Sequence, residues 1–180
     1  MRIIGGNWKG RTWPVDRNFS GRPTTDFAKE ALFNILESHF NIEEFEQVWD
    51  LFSGTGAIAA ELLSRGAQNV TSVEMNSKNA RALSLNKRNF ELKNWQIVVD
   101  DVKKFLSKQE KLPQMVFADP PFDLPWINEL PEILFEKKSE AFQLIVIEHP
   151  KEVKFEDAPH FWQARVYGHV HFSFFKNSEL

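Results

Sequence analysis

The 180-residue chain contains no cysteine. That excludes a disulfide framework, a thiolate metal site and a cysteine nucleophile, and it fits a reducing compartment. No apolar run approaches the ~18 residues that a membrane-spanning helix needs. The opening Met1-Arg2-Ile3-Ile4-Gly5-Gly6 lacks the apolar core of a secretory signal, so a cytoplasmic protein without membrane contact is expected. The single tyrosine, Tyr167, leaves no Tyr-x-x-x-Lys pair for hydride chemistry. Internal repeats, low-complexity tracts and Gly/Ser linkers are also missing. A chain of 180 residues at 42% hydrophobic is the size of one well-packed domain.

Acidic side chains are scarce at one end. Residues 1–25 hold Arg2, Lys9, Arg11, Arg17 and Arg22 against Asp16 alone, a net +4 within a chain of net −3, which leaves the remainder at −7. A basic arm, residues 1–25, on an acidic body, residues 26–180, suggests an anionic partner met at one edge.

From residue 26 helical and strand patterns alternate. Phe27, Ala28, Ala31, Leu32, Ile35 and Leu36 follow helical spacing, with Thr25 or Asp26 placed as the cap. Strands are expected at Val48–Phe52, Val70–Glu74, Gln96–Val99, Met115–Asp119 and Leu144–Glu148. Helices are expected at Ala57–Arg65, closed by Gly66, at Ser77–Phe90, and around Lys103–Leu106 and Trp126–Phe135. Two aromatic-rich runs flanking Gly168 read as an antiparallel pair. The alternation predicts an α/β fold with a mostly parallel sheet covered by helices on both faces. Ligands of such sheets sit beyond the carboxyl ends of the strands. Those ends carry Asp50–Gly56, Glu74, Asp100–Asp101, Asp119–Phe122 and Glu148–His149, an acidic rim.

The segment Asp50-Leu51-Phe52-Ser53-Gly54-Thr55-Gly56 turns a buried strand into a helix, and its glycines let the backbone approach a ligand closely. Glu74 follows Gly54 by twenty residues, the offset at which an acid accepts hydrogen bonds from a ribose. Gly54 to Ala59 also fits the dinucleotide pattern G-x-G-x-x-A, so an NAD-dependent oxidoreductase is one candidate. Asp50 would repel a pyrophosphate, however, and would suit a cationic amino-acid moiety. S-adenosylmethionine carries a ribose, an adenine, an ammonium and a sulfonium with no phosphate, and it suits the acidic rim better. Asp101 is placed to accept from the adenine amine, or else to cap the following helix. A branched side chain at Gly56 is expected to meet the ligand and spare the fold.

Asp119-Pro120-Pro121-Phe122 ends a buried strand with a carboxylate, a rigid step and a ring. The exocyclic amine of a nucleobase is a poor nucleophile because its lone pair is delocalised. Accepting its N–H groups at the Asp119 carboxylate and the Pro120 carbonyl would draw the nitrogen toward tetrahedral geometry, with Phe122 stacking the base. Methyl transfer would then follow from positioning and electrostatics.

Asp119 to Phe122 resembles the loop of amino-group methyltransferases acting on nucleic acid bases, and Asp50 to Gly56 resembles their D-x-F-x-G-x-G cofactor loop. Residues 1–11, Met-Arg-Ile-Ile-Gly-Gly-Asn-Trp-Lys-Gly-Arg, together with the run from Arg22 to Leu36, resemble the bacterial RsmD family of 16S rRNA guanine-N2 methyltransferases. The similarity is strongest over residues 1–123. The resemblance implies a seven-stranded class I methyltransferase sheet (Rossmann-like) over residues 26–180. It implies S-adenosylmethionine at Asp50, Phe52, Gly54, Gly56, Glu74 and Asp101, and catalysis at Asp119, Pro120, Pro121 and Phe122. It further implies 16S rRNA, in a small-subunit particle or assembly intermediate, as the partner of a monomer, with no metal. Arg2, Lys9, Arg11 and Arg22 would meet phosphates, and Arg22-Pro23-Thr24-Thr25 would line the cofactor or RNA side. A non-catalytic RNA-binding or assembly protein on the same fold is the third reading. His149 could touch the base or belong to a plain loop, and His169 and His171 would share one face of a strand. Trp8 and Trp126 stand out from the aromatic core residues, one in the basic arm and one after the catalytic loop.

Overall fold

Four short runs, Val48–Leu51 (β1), Val70–Val73 (β2), Met115–Ala118 (β4) and Leu144–His149 (β5), are buried at every position, as expected of strands covered on both faces. Trp95–Val98 (β3) joins them at one edge. Phe161–Tyr167 (β6) and Val170–Lys176 (β7) close the other edge as an antiparallel hairpin around Gly168. A computed structural model describes residues 1–16, 19, 25–138 and 142–177 of the chain. The sheet has seven strands in the order β3-β2-β1-β4-β5-β7-β6, parallel except where β7 meets β5 and β6.

Helices form where apolar residues recur at helical spacing behind a cap. Asp26–His39 (α1) starts at Thr25, whose hydroxyl accepts from the Ala28 N–H. Ala57–Ser64 (α2) follows the glycine loop, and Gly66 at φ +94° ends it. Ser77–Asn89 (α3) is capped by Asn76, and Val102–Ser107 (α4) by Asp101. The pattern over Trp126–Phe135 splits into a 3-10 turn at Ile127–Glu129 and the helix Leu130–Phe135 (α5), because Pro131 has no N–H and sits in a first turn. Alternation along the strands sorts the core into two layers. Val48, Val70, Phe117 and Val146 pack with α1, α2 and α3, and Leu51, Val73, Val116 and Ile147 pack with α4 and α5. Among the described residues no helix is long and apolar enough to cross a membrane.

The basic N-terminal segment packs along α2. Arg2 bridges Thr12 in antiparallel register, and Ile3 and Trp13 are buried. The Trp8 N–H donates to Ser64 Oγ at 2.9 Å at one end of α2, and Trp13 Nε1 donates to the Thr55 carbonyl at 2.9 Å at the other. A buried charge network fastens it. Lys29 Nζ lies 3.2 Å from Glu61 Oε1 and donates to the Arg2 carbonyl at 2.8 Å, while the Ile4 N–H donates to Glu61 at 2.8 Å and Arg65 pairs with Glu61. Glu61→Ala leaves the buried Lys29 with only the exposed Asp26 carboxylate, at 3.3 Å, and leaves the Ile4 N–H unpaired. It should cost about 3–5 kcal/mol in urea unfolding, and a loss below about 1 kcal/mol would remove the network from the stability of the fold.

Candidate active site

The winding of the sheet reverses between β1 and β4, and this opens a crevice at the carboxyl ends of those strands. β1 pairs with β2 through Asp50 opposite Ser72, and with β4 through Asp50 opposite Phe117. Asp50 therefore faces the α1–α3 layer. Glu74, Asp119 and Glu148, each in alternation with a residue of that layer, face the same side. Four carboxylates from neighbouring strands thus share one face of one rim.

Asp50 is only 2% exposed. Its Oδ2 accepts from the Ser72 hydroxyl at 3.1 Å and from the Ser53 hydroxyl. Ser72 is held in turn by the indole N–H of Trp95 at 2.9 Å. Burial pushes the Asp50 carboxyl up to about 7; the two serine hydroxyls oppose the rise, and Asp119 and Glu74 add to it. Burial pushes the Asp119 carboxyl up as well. Glu74 is buried with both oxygens engaged, Oε2 by the Gly54 N–H at 2.8 Å and Oε1 by the Asn76 N–H at 2.7 Å. Those two bonds fix the carboxylate and leave each oxygen a second lone pair. No basic side chain among the described residues pairs with Asp50, Glu74 or Asp119.

The loop between β1 and α2 takes three successive turns through positive φ, at Phe52 (+59°), Gly54 (+52°) and Gly56 (+72°). Phe52 has a Cβ there, a strain of order 1–3 kcal/mol, and its ring leans on Trp126 at 6.0 Å. Lys103 lies 5.3 Å from the Trp126 ring centre. Phe52, Ser53, Gly54 and Thr55 line a recess that reaches Asp50 and Asp119. It encloses about 30 Å³, room for a group of one or two waters' size. A nucleoside-sized ligand would lie along the rim with only a small group reaching in. Pro120 is buried and Pro121 exposed, and Phe122 stands 47% exposed beside Asp119.

The structure gathers Asp50, Phe52, Gly54, Gly56, Glu74 and Asp119 to Phe122 around one crevice. Asp101 lies farther along the same rim, after β3, where its Oδ1 accepts from the Lys104 N–H at 3.0 Å as the cap of α4. Lys9 and Arg11 stay outside the crevice. The turn that holds them packs at the end of α2 marked by Ser64, and Arg11 lies over Phe90 at the end of α3, the rim opposite Asp119. Arg17 and Arg22-Pro23-Thr24 lie outside the described residues; Thr25 is the cap of α1. His149 is no loop residue and faces away from the crevice. It is buried at the end of β5, with Nε2 2.8 Å from Ser173 Oγ and Nδ1 3.0 Å from the Pro150 carbonyl, and burial holds its pKa below the usual value. His169 sits in the turn before β7, so it shares no strand face with His171. Among the described residues no group of three His, Asp or Glu side chains is arranged to hold a metal ion.

Sequence reasoning missed Ser53 and Ser72 as partners of Asp50, although Ser53 lies three residues on, within reach of the same turn. It also missed Met75 and Val99, large apolar side chains left exposed just past β2 and β3.

The family model described as Conserved hypothetical protein 95 matches residues 1–176. The chain is 36% identical over 134 residues to "Ribosomal RNA small subunit methyltransferase D" of Escherichia coli (strain K12), a match spanning 74% of this chain and 66% of that protein, just under two thirds. It is 33% identical over 159 residues to "Putative rRNA methyltransferase YlbH" of Bacillus subtilis, over 86% of this chain and 85% of that protein. Among solved structures, the putative methyltransferase yhhF from Escherichia coli superposes with a TM-score of 0.84 at 32% identity, over 98% of this chain and 97% of that one.

A Cβ on Gly56 would point into the core, 2.7 Å from Leu83 Cδ2 and 3.2 Å from Trp95, and away from any ligand on the rim. This overturns the expectation that a branched residue there spares the fold. Gly56→Val should cost about 2–5 kcal/mol of stability, from the left-handed backbone together with overpacking. Gly54→Ala, whose Cβ meets the Phe19 ring at 3.3 Å and nothing nearer, should cost about 1–2 kcal/mol. Thermal melts of the two variants separate these outcomes, and equal melting temperatures would contradict them.

Proposed function

The chain belongs to the Conserved hypothetical protein 95, or RsmD, family, and we propose that it is an S-adenosylmethionine-dependent methyltransferase acting on rRNA. The observation that carries this reading is the set of three carboxylates, Asp50, Glu74 and Asp119, around a glycine loop with no basic partner among the described residues. Such a site attracts a cation and repels a pyrophosphate, which favours a sulfonium-bearing cofactor over NAD.

The donor set fits that cofactor. Asp50 would meet its ammonium and the turn from Phe52 to Gly56 its chain, while Glu74 has a free lone pair on each oxygen for the ribose hydroxyls. Met75 and Val99 would flank the adenine, with Asp101 near its amine while also capping α4. When bound, S-adenosylmethionine supplies an electrophilic methyl group and departs as the thioether, which keeps the sulfur electron pair.

For the acceptor we propose the N2 amine of an unpaired guanine in 16S rRNA. Phe122, half exposed at the rim, stacks the base. The Asp119 carboxylate and the Pro120 carbonyl accept the two amine N–H bonds and take the lone pair out of conjugation. As the C–N bond forms, positive charge grows on that nitrogen, Asp119 stabilises it, and a carboxyl with a raised pKa is matched to accept the released proton. Arg2, Lys9 and Arg11 would add only non-specific phosphate contacts, from an RNA long enough to reach the opposite rim.

Two outcomes test the site. Asp119→Ala should hold S-adenosylmethionine affinity within a few fold and lose most methyl transfer, the pattern of an interaction made in the transition state; near-normal turnover would leave the amine to be oriented by some other residue.

The second outcome is a proton linkage. Because the folded pKa of Asp50 is raised to about 7 from 3.8, its contribution to the stability of the ligand-free protein is complete below about pH 4 and is lost as pH rises through 7. A cationic ligand selects the ionised form. Affinity should therefore climb as pH rises toward about 7, with protons released on binding, and fall again above about pH 8, where the ligand's own α-ammonium deprotonates. Calorimetry in two buffers of different ionisation enthalpy measures that release. Asp50→Asn should reduce it to the share that Asp119 releases, and tighter binding of NADH than of S-adenosylmethionine would remove the cofactor assignment.

A further inference from the structure

Strand direction brings another piece of chain to the rim of Asp119. β6 and β5 are both antiparallel to β7, so β6 runs with β5, and Arg165 and Tyr167 near its end arrive on the rim that carries Asp119 and Phe122. Arg165 pairs with Phe172 and Tyr167 with Val170, residues of the α1–α3 layer, so both side chains stand on the face of the acidic row. α1 begins at this rim, and its Phe27 meets Tyr167 edge to face, with centroids 5.9 Å apart and planes at 81°.

Phe27 keeps 68% of its surface exposed, so core packing does not account for a phenylalanine there. A lone exposed apolar residue needs no explanation, but this one is half of an aromatic pair on a strand end that also carries a cation. Arg165, two residues before Tyr167 on the same strand face, and His169, two residues after it in the turn, are exposed; Arg165 donates to the Ala164 carbonyl at 2.9 Å while pairing with no carboxylate among the described residues. Three interstrand spacings of ~4.8 Å separate β4 from β6, about 14 Å along the rim, the span of a few nucleotides.

Resting on the reading of the crevice as an RNA methyltransferase site, we propose that Phe27, Tyr167 and Arg165, with His169, form a stacking platform for an unpaired nucleotide flanking the target base. Aromatic faces with a nearby cation are how single-stranded RNA is held without sequence readout. The platform lies on the reacting side of the sheet, where Lys9 and Arg11 cannot reach. It would draw the strand across Asp119 and fix which nucleotide enters.

The test uses the full chain and an RNA hairpin with an unpaired guanine flanked by 4-thiouridine. Irradiation followed by peptide mass spectrometry should find adducts on Phe27 or Tyr167 as well as near Phe122. The double variant Phe27→Ala with Arg165→Glu, both at exposed positions, should raise the RNA Kd roughly 5- to 150-fold, the range for a lost base stack. Its S-adenosylhomocysteine affinity should not change. Adducts near Phe122 alone, with an unchanged Kd in the variant, would overturn the platform and leave the methyltransferase reading standing. Failure of the wild type to retain RNA at all would sink both. Self-association through this surface, abolished by the variant while RNA binding persists, would make it a contact between copies and overturn the proposal.

Discussion

Placing β1 between β2 and β4 is the constraint on which the rest depends. Parallel strands joined by right-handed crossovers deliver every carboxyl end to one rim, and the change of winding direction at β1 keeps the helices from closing over that rim. The glycine loop, the Glu74 carboxylate and the Asp119 turn come from three separate stretches of sequence. They meet only because their strands are neighbours in register.

Charge placement follows from the same geometry. A carboxylate at a strand end is half inside the protein, and Asp50 is deeper than that, one pleat below the rim. Its solvation is replaced by two serine hydroxyls and, among the described residues, by no cation, so a positively charged ligand would relieve its desolvation. The left-handed Phe52 belongs to the same economy: local strain is retained where it shapes the loop, and burial of the neighbouring strands over-determines it.

Much of this was legible in the sequence. Strand and helix order, the antiparallel ending and the residues of the rim follow from apolar runs, helical spacing and punctuation by glycine and proline. Most element boundaries shifted by about one residue, apart from α5, which starts four residues later than expected; β5 extends to His149, for example, because β7 supplies a partner, His171, at that level. What stayed hidden was three-dimensional. Charge counting identified a basic arm but carried no information on which end of α2 would receive Lys9 and Arg11; backbone bonds to Ser64 decide that. The role of Gly56 was misread because the direction of a missing Cβ depends on a positive φ that sequence does not display. The inward turn of His149 depends on Ser173, a partner 24 residues away on another strand.

The docking of the first residues along α2 also has a consequence in time. Ile4 and Trp8 hydrogen-bond to side chains 57 and 56 residues downstream, and Pro14 accepts from Asn86, 72 residues later. At about 5–20 residues per second of synthesis, this segment waits on the order of seconds before its docking surface exists. These contacts are long in sequence separation and carry a corresponding loop-closure cost. The segment from Met1 to Pro14 therefore cannot reach its native place before α2 and α3 are made, and its docking marks completion of the α1–α2–α3 layer.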